Sequence, residues 1–255
     1  MTRIVAGLVL ASVLAACGAE DVEPTSDPGL LASVPDGGLL YDKFWKASDT
    51  GEPTGDHPLW ATRPDPSANA RSGSTTWRCK ECHGWDYRGV DGAYAEGSHR
   101  TGFPGVLGSK RTVDELITLI GDVHGFRSAG LSDVDLESLA LFIREGLIDT
   151  STWIDAEGAF RGDAERGKTL YLEGLGGSKS CSTCHGEDGL APPKKGDTEY
   201  EDFVGRIALE NPWEFLHKVR FGQPGTKMPA AIHAGASMQD LADLSAHSQT
   251  LPKDK

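Results

Sequence analysis

Cys79-Lys80-Glu81-Cys82-His83 and Cys181-Ser182-Thr183-Cys184-His185 are the two stretches whose reading decides this chain. Each sets two thiols two residues apart in the sequence gap, with an imidazole directly after the second. Such a pair has the span to bond the two vinyl groups of a porphyrin, and the adjacent His then lies under the iron as proximal ligand. The spacing predicts two covalently attached c-type haems, held by Cys79 and Cys82 and by Cys181 and Cys184, with His83 and His185 as iron ligands. Paired cysteines also serve zinc and thioredoxin-like redox sites. Two pairs that each end in His, with no βαβ pattern around them, argue against both.

The remaining cysteine is Cys17. Thr2 and Arg3 precede an apolar run, Ile4 to Leu14, too short for a comfortable membrane span. The run ends Leu14-Ala15-Ala16-Cys17-Gly18, which resembles the lipobox of bacterial lipoproteins. That resemblance implies a signal peptide over residues 1–16 and a lipid on Cys17. It implies a location in the cell envelope, facing the periplasm or another extracytoplasmic space, with membrane association through the anchor. An ordinary secretory signal with a chance Cys is the other reading. Residues 17–37, rich in Asp, Glu, Pro, Ser and Gly, read as a flexible acidic tether. With one Cys for lipid and four for haem, none is left for a structural disulfide, a common use of Cys in exported proteins.

Composition narrows the function classes. The formal charge is −13, which excludes nucleic acid as a partner, because phosphate binding needs a basic face. It suits a basic redox partner protein. Aromatic residues are only 7% and glycines number 32, a thin basis for a protein-only core that a large apolar cofactor would complete.

Apolar residues at helical spacing predict an all-α chain. Helices are expected over Gly38–Lys46, Thr112–Ile120 and Ser132–Glu145, the last with a capping-box pattern from Ser132 to Asp135. Residues 49–76, broken by Pro53, Pro58, Pro64 and Pro66, read as loop. The second half repeats the order: helices over Asp163–Leu175, Pro212–Phe221 and Ser237–Thr250 surround the second motif. The expected organisation is a first domain over 38–150 and a second over 160–255.

A six-coordinate haem takes a second ligand, Met or His, from elsewhere in its domain. In the second half the candidate is Met228, 228 − 185 = 43 residues after the proximal His, with Met238, His217 and His233 as alternatives. The first half holds no Met after Met1, and the corresponding place carries His124, 124 − 83 = 41 residues after His83. The competitors are His99 and an iron that is five-coordinate or bound by Lys. His57, His217, His233 and His247 are expected to have no metal role.

Both halves resemble class I, mitochondrial-type cytochrome c domains. The second is the closer match, through Gly162-Asp163-Ala164, the Gly-Lys-x-Leu-Tyr helix, Cys184-His185-Gly186-x-Asp188-Gly189, and Met228-Pro229. The first half departs through its Pro-rich insertion, its tryptophans Trp45, Trp60, Trp77 and Trp85, and its lack of Met. The resemblance implies terminal helices that cross over a haem. It also implies that Phe103-Pro104-Gly105-Val106-Leu107 corresponds to the loop that supports the proximal His. The function expected is electron transfer by a dihaem c-type cytochrome, as carrier or electron-transfer subunit. A dihaem redox enzyme of the thiosulfate dehydrogenase or peroxidase type is the alternative. It needs a Cys near iron, for which none is spare, or an iron that can open.

Overall fold

The computed structural model describes residues 31–176, 178–191 and 203–254. Cys17, the signal segment and the tether up to residue 30 lie outside the described residues. Ser33 accepts from the Asp36 amide at 3.3 Å, and Pro35 occupies the first turn. Both favour a helix start, so α1 runs Val34–Ala47, a turn longer than the periodicity predicts. Its Leu40, Tyr41 and Phe44 are buried. A leucine so buried contributes about 1.5–3 kcal/mol of apolar transfer.

Among the described residues there are eight further α-helices and no named strand. Cys79–His83 forms α2, Val113–Thr118 α3, Asp133–Leu141 α4, Ala164–Glu173 α5, Ser182–His185 α6, Val204–Glu210 α7, Pro212–Phe221 α8 and Met238–Ser248 α9. Two of the expected helices end early and continue as wider turns, Leu119–Val123 after α3 and Phe142–Gly146 after α4. Helix α7 was not expected. Its Gly205, a poor helix former, lies where a Cβ would meet the Leu251 carbonyl at 2.3 Å. The stretch 49–76 holds two short 3₁₀ turns, Pro58–Thr62 and Gly73–Trp77.

The same construction occurs twice. Helix α1 crosses α4, and α5 crosses α9. Each crossing is close enough to require glycine on the first helix. A Cβ on Gly37 would lie 2.1 Å from the Ser138 carbonyl oxygen, and one on Gly167 would lie 1.9 Å from that of Asp243. Both C-terminal helices start with a reciprocal cap. The Ser132 hydroxyl accepts from Asp135 N and the Asp135 carboxylate from Ser132 N; Ser237 and Asp240 repeat this. Arg166 ties α5 to α9 through ion pairs with Asp240 and Asp243.

Two buried clusters result. One gathers Tyr41, Phe44, Trp85, Leu136, Leu139 and Phe142 with their neighbours. The other gathers Tyr171, Phe215, Leu216, Leu241 and Leu244 with theirs. Helix α8 belongs to both. It gives Phe215, Leu216 and Val219 to the second and Phe221 to the first. Its His217 is 2% exposed, donates through Nε2 to the Gly38 carbonyl at 2.9 Å and accepts at Nδ1 from the Tyr87 hydroxyl at 2.8 Å.

Candidate cofactor sites

Each Cys-x-x-Cys-His run is a single helical turn ended by a glycine with positive φ, Gly84 at +76° and Gly186 at +75°. A side chain would strain that conformation. A tyrosine from the first helix of each half reaches back to this turn. Tyr41 donates to the Gly84 carbonyl and Tyr171 to the Gly186 carbonyl, both at 2.8 Å. The carbonyl of each motif His is held in turn, His83 by Gly89 N at 2.9 Å and His185 by Ala191 N at 3.0 Å. The sequence carries a signal for these tyrosines that spacing of the motifs alone misses. Gly37-x-x-Leu40-Tyr41 and Gly167-x-x-Leu170-Tyr171 pair a crossing glycine with a motif-holding tyrosine in the same pentapeptide.

In the first half, burial pushes the Cys79 and Cys82 thiols up to about 12. They stay protonated at neutral pH, unlike the thiols of a low-pKa redox pair. Among the described residues no three His, Cys, Asp or Glu side chains converge as a metal cage. His83 Nδ1 lies 2.7 Å from the Pro104 carbonyl, and burial lowers the pKa of the ring. The neutral ring donates from Nδ1 and keeps its Nε2 lone pair. Pro104 is fixed there because the Phe103 carbonyl accepts from Val90 N at 2.9 Å and the Tyr87 carbonyl from Val106 N at 2.8 Å.

His124 ends the wide turn Leu119–Val123. Its Nδ1 is tied to the Leu119 carbonyl at 2.9 Å, again leaving Nε2. The His83 and His124 rings have their centroids 6.4 Å apart, inclined at 47°. Two metal–nitrogen bonds of about 2 Å each, plus half of each ring, fill that span, so these two side chains fit an iron between them. His99 is engaged elsewhere. Its Nε2 lies 3.0 Å from Arg71 Nη2 and its Nδ1 3.7 Å from Glu81. Burial would raise the Glu81 carboxyl, but hydrogen bonding from His99 and the charges of Lys80 and Arg71 hold it well below the usual carboxylate range.

In the first motif Cys79, Cys82 and His83 are half-buried and the residues between the cysteines are covered. Lys80 and Glu81 are buried, and the Trp85 ring beneath them lies within 6.0 Å of Lys80 Nζ and Lys218 Nζ and 5.8 Å of the Arg78 guanidinium. Cations at such distances are attracted by the indole face. Arg78 pairs with the buried Asp42.

The second motif is more open. Helix α6 has no buried residue, and Cys184 is exposed. Burial pushes the Cys181 thiol up to about 11 and lowers the His185 pKa. Ser180 shares hydrogen bonds with Ser182 and Thr183 at 3.0 and 2.8 Å. Met228 is half-buried against the second cluster, with its amide donating to Thr226 Oγ1 at 3.2 Å. Of its competitors, His217 is committed to Gly38 and Tyr87, His233 is exposed, and Met238 packs at the start of α9.

Residues 162–247 match the family model described as cytochrome C oxidase, cbb3-type, subunit III. No curated protein matches the chain. The matched segment spans α5 to most of α9, with the second Cys-x-x-Cys-His run inside it. It is a cytochrome c domain, a unit that holds haem c covalently and transfers electrons.

Proposed function

We propose that the chain is a dihaem electron-transfer protein of the bacterial cell envelope, anchored through lipid on Cys17. In this reading Cys79, Cys82, Cys181 and Cys184 attach the two haems, His83 and His124 ligate the first iron, and His185 and Met228 the second. The observation that carries a haem in the first half, outside the matched segment, is the His83–His124 ring pair at 6.4 Å, with both Nδ1 atoms bonded to main-chain carbonyls. Two imidazoles tied back in this way present the same donor atom to the space between them. The repeated glycine crossing and tyrosine strut add to it, since the first half carries the devices of the matched half.

Bound haem supplies a one-electron ferric–ferrous couple. The residues do the rest. His83 is oriented by Pro104 and His124 by Leu119, so neither ring needs to reorganise when the charge of the site changes. Tyr41 and Tyr171 hold the turns that carry the thiols. Trp77, Phe44 and Phe126, edge-on to one another, form an apolar wall beside the first pair. Such a wall keeps water away and so helps to set a potential. Met228 offers a soft thioether, which favours reduced iron over a second imidazole. The first centre is therefore expected at the lower potential.

The test is intact mass together with fractionation. The mature protein should exceed its lipidated polypeptide by two haem masses, and Cys17→Ser should turn a membrane-bound protein into one released from the membrane. One haem mass, or haem extracted by acid-acetone, would end the dihaem reading; wild-type protein without acyl chains would end the anchor.

A further inference from the structure

The Pro-rich insertion is what most separates the first half from the second. Residues 48–78 lead from α1 to the first motif, where residues 174–180 suffice in the second half. The insertion is pinned to the motif. Asn69 Nδ2 donates to Glu81 Oε1 at 3.3 Å, and Arg71 Nε pairs with the same oxygen at 3.1 Å. It also meets the chain just before Pro104, since a Cβ on Gly102 would lie 3.0 Å from the Pro64 ring.

Asp56, His57, Trp60, Arg63, Asn69 and Arg71 are on the wall of a cavity of about 470 Å³ in this insertion. Arg63 is only 9% exposed, and its guanidinium lies over the Trp60 ring at 3.8 Å. Nη1 donates to the Trp60 carbonyl at 2.6 Å, and Nη2 to those of Pro66 and Asn69 at 3.2 and 3.4 Å. Those acceptors carry no net charge, and neither does the indole. Among the described residues no carboxylate pairs with Arg63, and its Nε–H has no acceptor.

The neighbouring cations do have acids. Arg71 is committed to Glu81, and Arg100 pairs with Asp65 at 3.4 Å. Asp56, the one acid on the cavity wall, is exposed and accepts from the Gly73 amide at 2.6 Å. A cation stripped of water is costly unless an opposite charge stands near it. A guanidinium is best matched by a carboxylate or a similar oxyanion, which its fork of N–H donors fits.

We infer that the insertion cavity is a binding site for a small oxyanion, a carboxylate by preference, and that Arg63 supplies the charge that holds it. Nη1 has a second N–H to offer beyond its bond to Trp60. Two sources carry this chemistry: a free small acid from solution, or the propionate of a haem on Cys79 and Cys82. Only the second rests on the dihaem reading.

The test uses the full-length, haem-loaded protein with acetate as the probe and chloride at equal ionic strength as the control. A ligand that binds only the folded chain raises its unfolding midpoint with concentration. For a free anion, acetate should raise the thermal midpoint of wild type beyond chloride. Arg63→Gln should lose that rise, and Arg63→Lys, which keeps the charge but not the carbonyl bonds, should retain part of it. For a propionate, acetate should leave wild type unmoved. Arg63→Gln should then lower the potential of the lower redox step, because a lost positive charge favours ferric iron, and Arg63→Lys should hold it. Ala70→Asp puts a carboxylate on an exposed part of the same wall. It should abolish the acetate response, or lower the same step, and it serves if Arg63→Gln does not fold. An acetate response equal in wild type and Arg63→Gln overturns the site. So does a wild type blind to acetate whose redox steps stay put in Arg63→Gln, and so does a Lys variant that behaves as Gln does, which marks Arg63 as a holder of carbonyls. A single haem by intact mass ends the dihaem reading instead and leaves the acetate arm to decide alone.

Discussion

The two halves share a skeleton and differ in what covers it. In each, a glycine lets the first helix cross the last, a tyrosine holds the turn after the motif, and a Ser–Asp box caps the closing helix. Around the first motif lie an insertion, a cation-ringed tryptophan and helix α8; around the second lie hydroxyls and an exposed Cys184. In the proposed dihaem reading the shared parts carry the attachment of each haem. The unshared parts carry its second ligand and its contact with water, which tune a redox centre.

The comparison breaks most visibly at the attachment sites. Replacing Cys79 and Cys82 together with Ala should halve the haem content, and replacing Cys181 and Cys184 should halve it independently. Intact mass reads both, and a chain that keeps both haems after either change would refute the assignment. Next come the distal residues. A redox titration should resolve two steps, and the weak near-infrared sulfur-to-iron band should belong only to the upper one. Met228→Ala should abolish that band. His124→Ala should move the lower step and leave the band in place.

Smaller effects test the seam between the halves. Burial holds the His217 pKa at about 4, against an ordinary 6.5. The folded value lies below the unfolded one, so the unfolded chain takes up the proton first as pH falls. The stability present above pH 6.5 is then lost between 6.5 and about 4. The loss approaches about 3 kcal/mol at 1.36 kcal/mol per unit. Denaturant unfolding at pH 7 and pH 5 should show this dependence in wild type and a weaker one in His217→Phe. The smallest effect should be equal on the two sides. Ser132→Ala and Ser237→Ala each remove one reciprocal cap and should each cost about 1 kcal/mol, read as a lowered denaturation midpoint.

Much of this arrangement was legible in the sequence because it is local. Both motifs, the helix over Pro212–Phe221 and the Ser132–Asp135 cap are set by residues within a few positions of one another, and periodicity and capping rules read such spans. His124 came from counting along the repeat, and it stands beside His83 where the count directs attention. What escaped is non-local. Nothing near His57 in the chain announces that its ring stands 6.3 Å from that of His124, 67 residues on. Trp213, Phe215, Leu216 and Val219 mark one side of α8, while His217 and Phe221 look like leftovers until the first half is folded against them. A helix apolar on several sides belongs in an interior, and that cue was available.

The packing of α8 on the segment after the first motif has a consequence for how the halves come apart. Trp85 packs at 4.8 Å on His217, and Tyr87 bonds the same ring. Both side chains are buried. A chain cut before residue 212 would uncover them, so the first half is expected to lose stability on its own and the two halves to melt together.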